Sequence, residues 1–417
     1  MRTRRRVTFL LPRADGRDGV PRTVINLANH LVDGFDVEII GLLRGNTEPA
    51  FEIDQRIAVQ HVMDVRPFGP DGERRNLSEG GVDEYGNAVT RKLLFERQQP
   101  SAIAPLDPRH WASSDQPLID TLRSVRSDVV VGTTPALNLF VGSYVPSGVA
   151  TVGQDHMNFV WRTRNPDERD VMCRGIQGLD AFVPLTREDQ RDYRALLPDA
   201  TTWIAAIPNA LSWPIADRAA PVVDKVVVAA GRLEEQKAFD RLITAYAPLV
   251  DSRPDWRLDI YGSGSEKPKL RRLIKQLGVG RRVTLRGHSH QMPGVLRDSA
   301  IFAMTSEREG FPMVLLEAMS VGLPMVAYDC PRGPAEVVRD GINGRLIPDG
   351  DAAAFTAALA DLMDSVELRQ QMGAAALADA AAYSMPHIVT RWEAAFARLG
   401  VHPALTGTTS PSEDQPM

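Results

Sequence analysis

Apolar residues in this chain fall in short continuous runs, separated by stretches where they recur at helical spacing. Residues 7–11 read as a buried strand. A loop holding Gly16 and Gly19 follows, and a helix from about Pro21 sets Val24, Leu27, Ala28 and Leu31 on one side. Strand-like runs recur at FDVEIIGLL, RIAVQHV, SDVVVGTT, GVATVGQD and DAFVPLT, with helical stretches between several of them. Such alternation predicts a parallel sheet covered on both faces. Residues 64–116 break the pattern with Gly-, Pro- and charge-rich sequence, too long for an ordinary connection inside a compact domain, so they read as a functional insertion or a mobile one.

The pattern stops at LSWPIADRAAPVVDK, residues 211–225, which reads as a linker between a first domain, 1–210, and a second, 226–383. Six short strands follow, at KVVVAAGRL, WRLDIYGSG, RVTLRGH, IFAMTS, PMVAYDC and GRLIP, with helices between them. This is the signature of a doubly wound α/β domain, in which ligands bind at the carboxyl ends of the strands. A last helix near 384–399, in a segment ending at 402, precedes a small-residue polar tail, 403–417, whose composition predicts disorder.

Length agrees with two domains, since 417 residues exceed the roughly 250–300 at which single cores stop growing. A net charge of −5 gives no basic field for nucleic acid. Two cysteines, Cys173 and Cys330, make no metal or disulfide framework, as expected of a reducing cytoplasm. No run of about 18 apolar residues is present, and VTFLLP is too short for a signal-peptide core. MRTRRR reads first as a solvated terminus; the sharper reading is peripheral contact with anionic lipid at the inner membrane face.

The candidate chemistry lies in strand-end loops of the second half. In EREGFPMVLLEAMSVGLPMVAYD, residues 307–329, the chain turns at Gly310 and reads as helix from Pro312 through Val321, stopping at Gly322. The N–H groups of Met313 and Val314 are expected to project unpaired from the helix start. Glu317 lies one turn on, in an apolar run, and an unpaired buried carboxylate costs several kcal/mol, so a polar partner is required there. Arg232 and Lys237, after the strand VVVAAG, could cradle a pyrophosphate or merely neutralise Glu234 and Glu235; spacing leaves both readings open. GSGS at Gly262–Ser265 lacks the third glycine of a dinucleotide fingerprint, and no P-loop is present. Asp349 and Asp351 could hold a metal, but their place before AAAFTAALADLM favours a helix N-cap. His156, beside Asp155 at a strand's carboxyl end, is open between a structural and a catalytic role.

EREGFPMVLLEAMSVGLPMVAYD, with two glutamates separated by seven residues, resembles the signature of the family-4 retaining glycosyltransferases. GRLEEQKAFDRLITA, GPAEVVRDGINGRLIPDGD, DGVPRTVINLANHL and IPNAL are similar to further blocks of that family, in the same order, from about residue 7 to 400. The resemblance implies the GT-B fold: α/β, with two facing Rossmann-like doubly wound domains and an interdomain cleft. It implies a first domain that binds the acceptor, a second that binds a nucleotide-sugar donor, and a last helix crossing back to the first domain.

By the same resemblance, Arg232 and Lys237 would hold the diphosphate. Glu309 would meet donor-sugar hydroxyls beside the backbone of Gly310, Phe311, Pro312, Met313 and Val314. Glu317 would accept the ribose diol, Gly19 would let its loop approach the phosphates, Gly262 would border the donor, and His156 would lie near the transferred sugar. The implied reaction is retaining, metal-independent hexosyl or N-acetylhexosaminyl transfer, with no cofactor beyond the donor, most commonly a UDP-sugar. The acceptor would be a glycan, a polyol-phosphate (teichoic-acid-like) polymer or a lipid-linked species of the bacterial cell surface. Asp18 stands where the family usually has a glycine, as do Ala210 and Ala238. The rival expectations are a nucleotide-sugar epimerase of the same fold and a catalytically inactive accessory subunit; oligomeric state is open.

Overall fold

A computed structural model of the chain describes residues 4–66, 101, 103 and 112–404. Seven strands form the first sheet: β1 (Arg6–Leu11), β2 (Asp36–Arg44), β3 (Ala58–Asp64), β4 (Val129–Gly132), β5 (Ala150–Gln154), β6 (Ala181–Val183) and β7 (Trp203–Ile204), in spatial order β3-β2-β1-β4-β5-β6-β7. Six form the second: β8 (Val226–Ala230), β9 (Arg257–Tyr261), β10 (Val283–Gly287), β11 (Ile301–Met304), β12 (Met325–Asp329) and β13 (Gly344–Pro348), in order β10-β9-β8-β11-β12-β13. Neighbouring strands are parallel, with Val7 opposite both Val37 and Val129 in one sheet and Val227 opposite both Leu258 and Ile301 in the other. In each sheet the order reverses beside the first strand, between β1 and β4 and between β8 and β11. A crevice opens at the carboxyl ends of the strands at such a switch point.

The period of two along β1 divides its side chains between two cores. Val7, Phe9 and Leu11 pack with the Gly19–Leu31 helix, and Leu10 packs with Leu118, Leu137 and Phe140 on the other face. The Met385–Arg398 helix joins the first of these cores: Ile388, Trp392, Ala395 and Phe396 are buried there, and Phe396 meets Phe35 edge-on at 5.8 Å. This helix therefore returns from the second half to the first.

Several element bounds differ from the sequence reading. Strand β7 was not anticipated, because two residues carry no periodicity. The helix after Gly310 spans only Met313–Met319, with Pro312 as its N-cap rather than its first helical residue, and Gly322 adopts φ +69° after it. Residues 211–225 are no free tether. Ala220 and Val222 belong to the second half's core, and the Ala216 and Ala220 N–H groups donate to Ser320 O and Val321 O at 2.8 and 2.7 Å. Of the expected insertion, residues 112–116 open the Ala112–Ser124 helix, while 67–100, 102 and 104–111 lie outside the described residues. The expected tail begins later than 403, since Ala404 N–H donates to Gly34 O at 2.9 Å; residues 405–417 lie outside the described residues.

Candidate active site

The loops after β8 and β11 are stitched together at the switch point. Glu307 N–H donates to Gln236 O at 2.9 Å, and the Gln236 amide donates to Arg308 O at 2.8 Å. Thr305 adds a hydroxyl bond to Ala238 O at 3.0 Å. This zipper sets Lys237 against Glu309, Nζ to Oε1, at 2.6 Å, with side chains only 17% and 7% exposed. Ala238 supplies the turn out of the β8 loop with φ 45° and ψ 46°, a left-handed conformation that favours glycine. The residue that the family usually places there fits the backbone better than the alanine does.

From the other side, the first half closes on the same loop. Asn158 is buried; its amide N–H₂ donates to Glu309 O at 2.7 Å and Pro331 O at 3.3 Å, and its Oδ1 accepts from Trp161 N–H at 2.8 Å, capping the Phe159–Thr163 helix. Glu309 N–H in turn donates to Pro331 O at 2.8 Å. A methyl group at Gly310 would overlap the carbonyl oxygen of His156, so this glycine permits the close approach of the two halves. The Trp161 indole carries two guanidinium groups, Arg164 at 3.0 Å and Arg308 at 3.8 Å from the ring centroid, and Arg308 crosses from the second half to reach it.

Glu317 does meet a polar partner: Arg22 of the Gly19–Leu31 helix, Nη2 to Oε1, at 3.3 Å. Burial pushes the Glu317 carboxyl upward, while Arg22 and then Lys237 oppose that shift. His156 lies at the carboxyl end of β5 with a buried Nε2 that has no hydrogen-bond partner among the described residues. Desolvation pushes its pKa down to about 4, Asp155 opposing and Arg162 assisting, so the imidazole is neutral near pH 7. Asp155 is committed elsewhere, to a bidentate pair with Arg162 at 2.8 Å on both arms.

Lys237, Glu309, Gly310 and Glu317 thus come together, with the His156 backbone against Gly310. Arg232 is exposed on the β8 loop and carries no ion pair among the described residues. Neither cation forms an ion pair with Glu234. That carboxylate accepts instead from Ser265, Oγ at 2.8 Å and N–H at 3.3 Å. The Met313 N–H is not free as expected, since it donates to Phe311 O at 2.9 Å, while Val314 is half-buried on the first turn. Phe311 and Pro312 are buried, with the Phe311 ring 6.0 Å from Tyr383, so their side chains serve packing. Gly262, at φ +142°, lies so close to Gly231 O that any Cβ would overlap it; the backbone approach explains this glycine. Gly19 opens its helix with empty space where a methyl group would stand, so crowding there does not demand glycine. Asp351 caps the Ala352–Asp364 helix, accepting from Ala354 N–H at 2.9 Å, and Asp349 pairs with Arg241 at 2.9 Å.

Asn158, Gln236, Arg22 and Trp213 escaped the sequence reading. Each owes its place to a partner far along the chain, and a single sequence gives no signal of such pairs.

Residues 215–379 match the family described as Glycosyl transferases group 1. The chain is 31% identical over 395 residues to an exopolysaccharide phosphotransferase of Streptomyces coelicolor, an alignment covering 94% of this chain and 41% of that protein. It is 27% identical over 219 residues to a poly(glycerol-phosphate) alpha-glucosyltransferase of Bacillus subtilis, covering 52% of this chain and 32% of the other. The chain thus spans less than half the length of either relative. Its fold matches the crystal structure of a mutant of S. aureus TarM in complex with fondaparinux, alpha-GlcNAc-glycerol and UDP, with a TM-score of 0.71 at 15% identity over 93% of this chain and 99% of that one. Two parallel sheets, with the Lys237–Glu309 pair at the switch point of the second, accord with these likenesses: residues 215–379 carry the domain of the Glycosyl transferases group 1 family, and the chain has the GT-B fold.

Proposed function

We propose that the cleft moves a sugar from a nucleoside diphosphate sugar, a UDP-sugar first among them, to a hydroxyl of a bacterial cell-surface polymer. The reading covers glycans, polyol-phosphate polymers and lipid-linked acceptors, and draws on the Bacillus relative's name for the second of these. The observation that carries it is the contact of Lys237 with Glu309 at 2.6 Å, made by loops after β8 and β11, where an α/β sheet binds its ligands.

Transfer needs a leaving group stabilised as it takes on charge. Lys237, with Arg232 on the same loop, would turn from Glu309 to the departing diphosphate, and the freed Glu309 carboxylate would take the donor sugar's hydroxyls. Glu317 would accept the ribose diol. Closure of the halves at Gly310 and Asn158 would exclude water from the anomeric centre. Retention and independence from metal complete the proposal: the acceptor attacks the face the nucleotide leaves, and a β-phosphate oxygen takes its proton.

A thermal-shift screen of UDP, GDP, ADP and their sugars tests the donor reading, because a ligand that binds only the folded state raises Tm. At least one nucleotide sugar is expected to do so, and Lys237→Ala to lower that shift and abolish turnover of the matched donor. Unchanged turnover in Lys237→Ala would overturn the leaving-group assignment. Product analysis with donor alone separates an epimerase, which needs no acceptor, from a transferase. Binding without transfer or hydrolysis across a broad acceptor panel would return an inactive accessory subunit.

A further inference from the structure

Glu317 is tied to two segments of the chain besides its own helix. Arg22 reaches it from the first half, Nη2 to Oε1, at 3.3 Å. The Arg22 guanidinium also lies 5.9 Å from the Trp213 ring centroid, in the segment joining the halves. Trp213 Nε1–H donates to Ser320 Oγ at 2.8 Å, and Ser320 Oγ–H donates to Glu317 O at 2.8 Å. First half and connecting segment therefore converge on one residue, the first at its carboxylate and the second, through Ser320, at its backbone carbonyl. We propose that Arg22 is a positioning residue of the donor site, holding Glu317 ionised and oriented so that seating the donor's ribose diol is coupled to the approach of the first half. This rests on the reading of Glu317 as the ribose partner.

The chemistry follows from the donor and acceptor inventory. An ionised carboxylate offers about four lone-pair sites, so one oxygen can keep Arg22 while the other takes hydroxyls. A protonated carboxyl is the weaker acceptor for a diol. The Glu317 side chain is 9% exposed and that of Arg22 36%, so the acid is sequestered while its cation stays reachable from the cleft. The charges acting on Glu317 are Arg22 from the first half and Lys237 from the β8 loop. Among the described residues, β11, β12 and the Pro334–Val337 and Val366–Ala380 helices packed on its helix bring no further charge to bear. Without Arg22, burial is opposed only by Lys237, which the incoming diphosphate would itself engage.

The test is titration calorimetry on the full chain with UDP and with 2′,3′-dideoxy-UDP, between pH 5.5 and 8.5. The wild type is expected to prefer UDP, with a ratio of UDP to dideoxy-UDP affinity that is flat across neutral pH; the ratio cancels the titration of the terminal phosphate that both nucleotides carry, and it is the profile compared between variants. Arg22→Gln keeps a stem over Trp213 and removes the charge. It is expected to weaken UDP about tenfold at pH 6, the order of a charge-assisted hydrogen bond, with affinity recovering as pH rises. Dideoxy-UDP is expected to bind wild type and variant alike. Arg22→Lys is expected to restore the flat profile, and Glu317→Gln to abolish the pH dependence. If Arg22→Gln weakens both nucleotides equally, or at all pH values alike, Arg22 is a strut and the proposal falls while the donor reading stands. If the wild type binds neither UDP nor GDP nor ADP, the donor reading falls and the proposal with it.

Discussion

Single residues show where the backbone asks for something the sequence lacks. Ala238 holds φ 45° and ψ 46°, where a Cβ costs roughly 1–2 kcal/mol. Ala238→Gly relieves that strain but frees the unfolded chain by about 0.4–1 kcal/mol, so a net gain of roughly 0.5–1 kcal/mol is expected from urea denaturation. At Gly310 the opposite holds: alanine would drive a methyl into His156 O, and neither backbone can yield without parting the halves. Gly310→Ala is expected to cost about 1–3 kcal/mol of stability, the usual penalty for overpacking, and to weaken nucleotide binding in the thermal-shift assay. Glu317's need for a partner was legible from its place in an apolar run. That the partner would be Arg22 was not, because the two lie 295 positions apart and meet only when the halves do.

Elements were read more reliably than their neighbours in space. Continuous apolar runs gave twelve of the strands, since a strand buried on both faces needs such a run, whereas the two residues of β7 fall below any period. The short Phe159–Thr163 helix also escaped notice. It has no buried residue of its own and is fixed by its cap, Asn158, which at the same time grips the loop of Glu309. That double duty makes Asn158→Ala informative. It removes the cap and takes one of two donors from Glu309 O and from Pro331 O, which keep the Arg332 and Glu309 N–H groups, a loss of about 1–2 kcal/mol. Asn158→Asp keeps the cap but cannot donate to either carbonyl. It also sets a buried, unpaired carboxylate oxygen against both of them, which costs several kcal/mol. Both variants are therefore expected to lose nucleotide binding and turnover together, with Asn158→Asp the less stable in urea at neutral pH; full turnover in Asn158→Asp would show that the cap alone matters.

The whole molecule is held closed at a second edge, away from Arg22. Arg332, in the loop after β12, meets three acids of the first half: Glu188 and Asp192 at 2.5 Å, and Asp189 at 3.3 Å. The outer two are substantially exposed and worth little. Asp189 is 1% exposed, and burial lifts its pKa to about 6 against the opposing Phe159 N–H, Thr186 and Arg332. Its folded value exceeds the unfolded 3.8, so the native state binds more protons between those values and this residue's contribution to stability falls as pH rises from about 3.8 to 6. His156 acts in the reverse sense: its folded value of about 4 lies below the unfolded 6.5, so its contribution rises with pH across that interval. Between pH 4 and 6 the two slopes offset each other, and a gain from His156 remains from about 6 to 6.5. Arg332→Ala removes the cation nearest Asp189, extends that acid's window upward and uncovers the offset. The variant is expected to trail the wild type most above pH 6, approaching the roughly 3 kcal/mol of a broken buried pair, and least at pH 4–5, where Asp189 is protonated in the folded state of both. Urea denaturation at pH 5 and pH 7.5 checks it. An equal deficit at both values would mean that Arg332 holds the halves together through packing and not through the charge of Asp189.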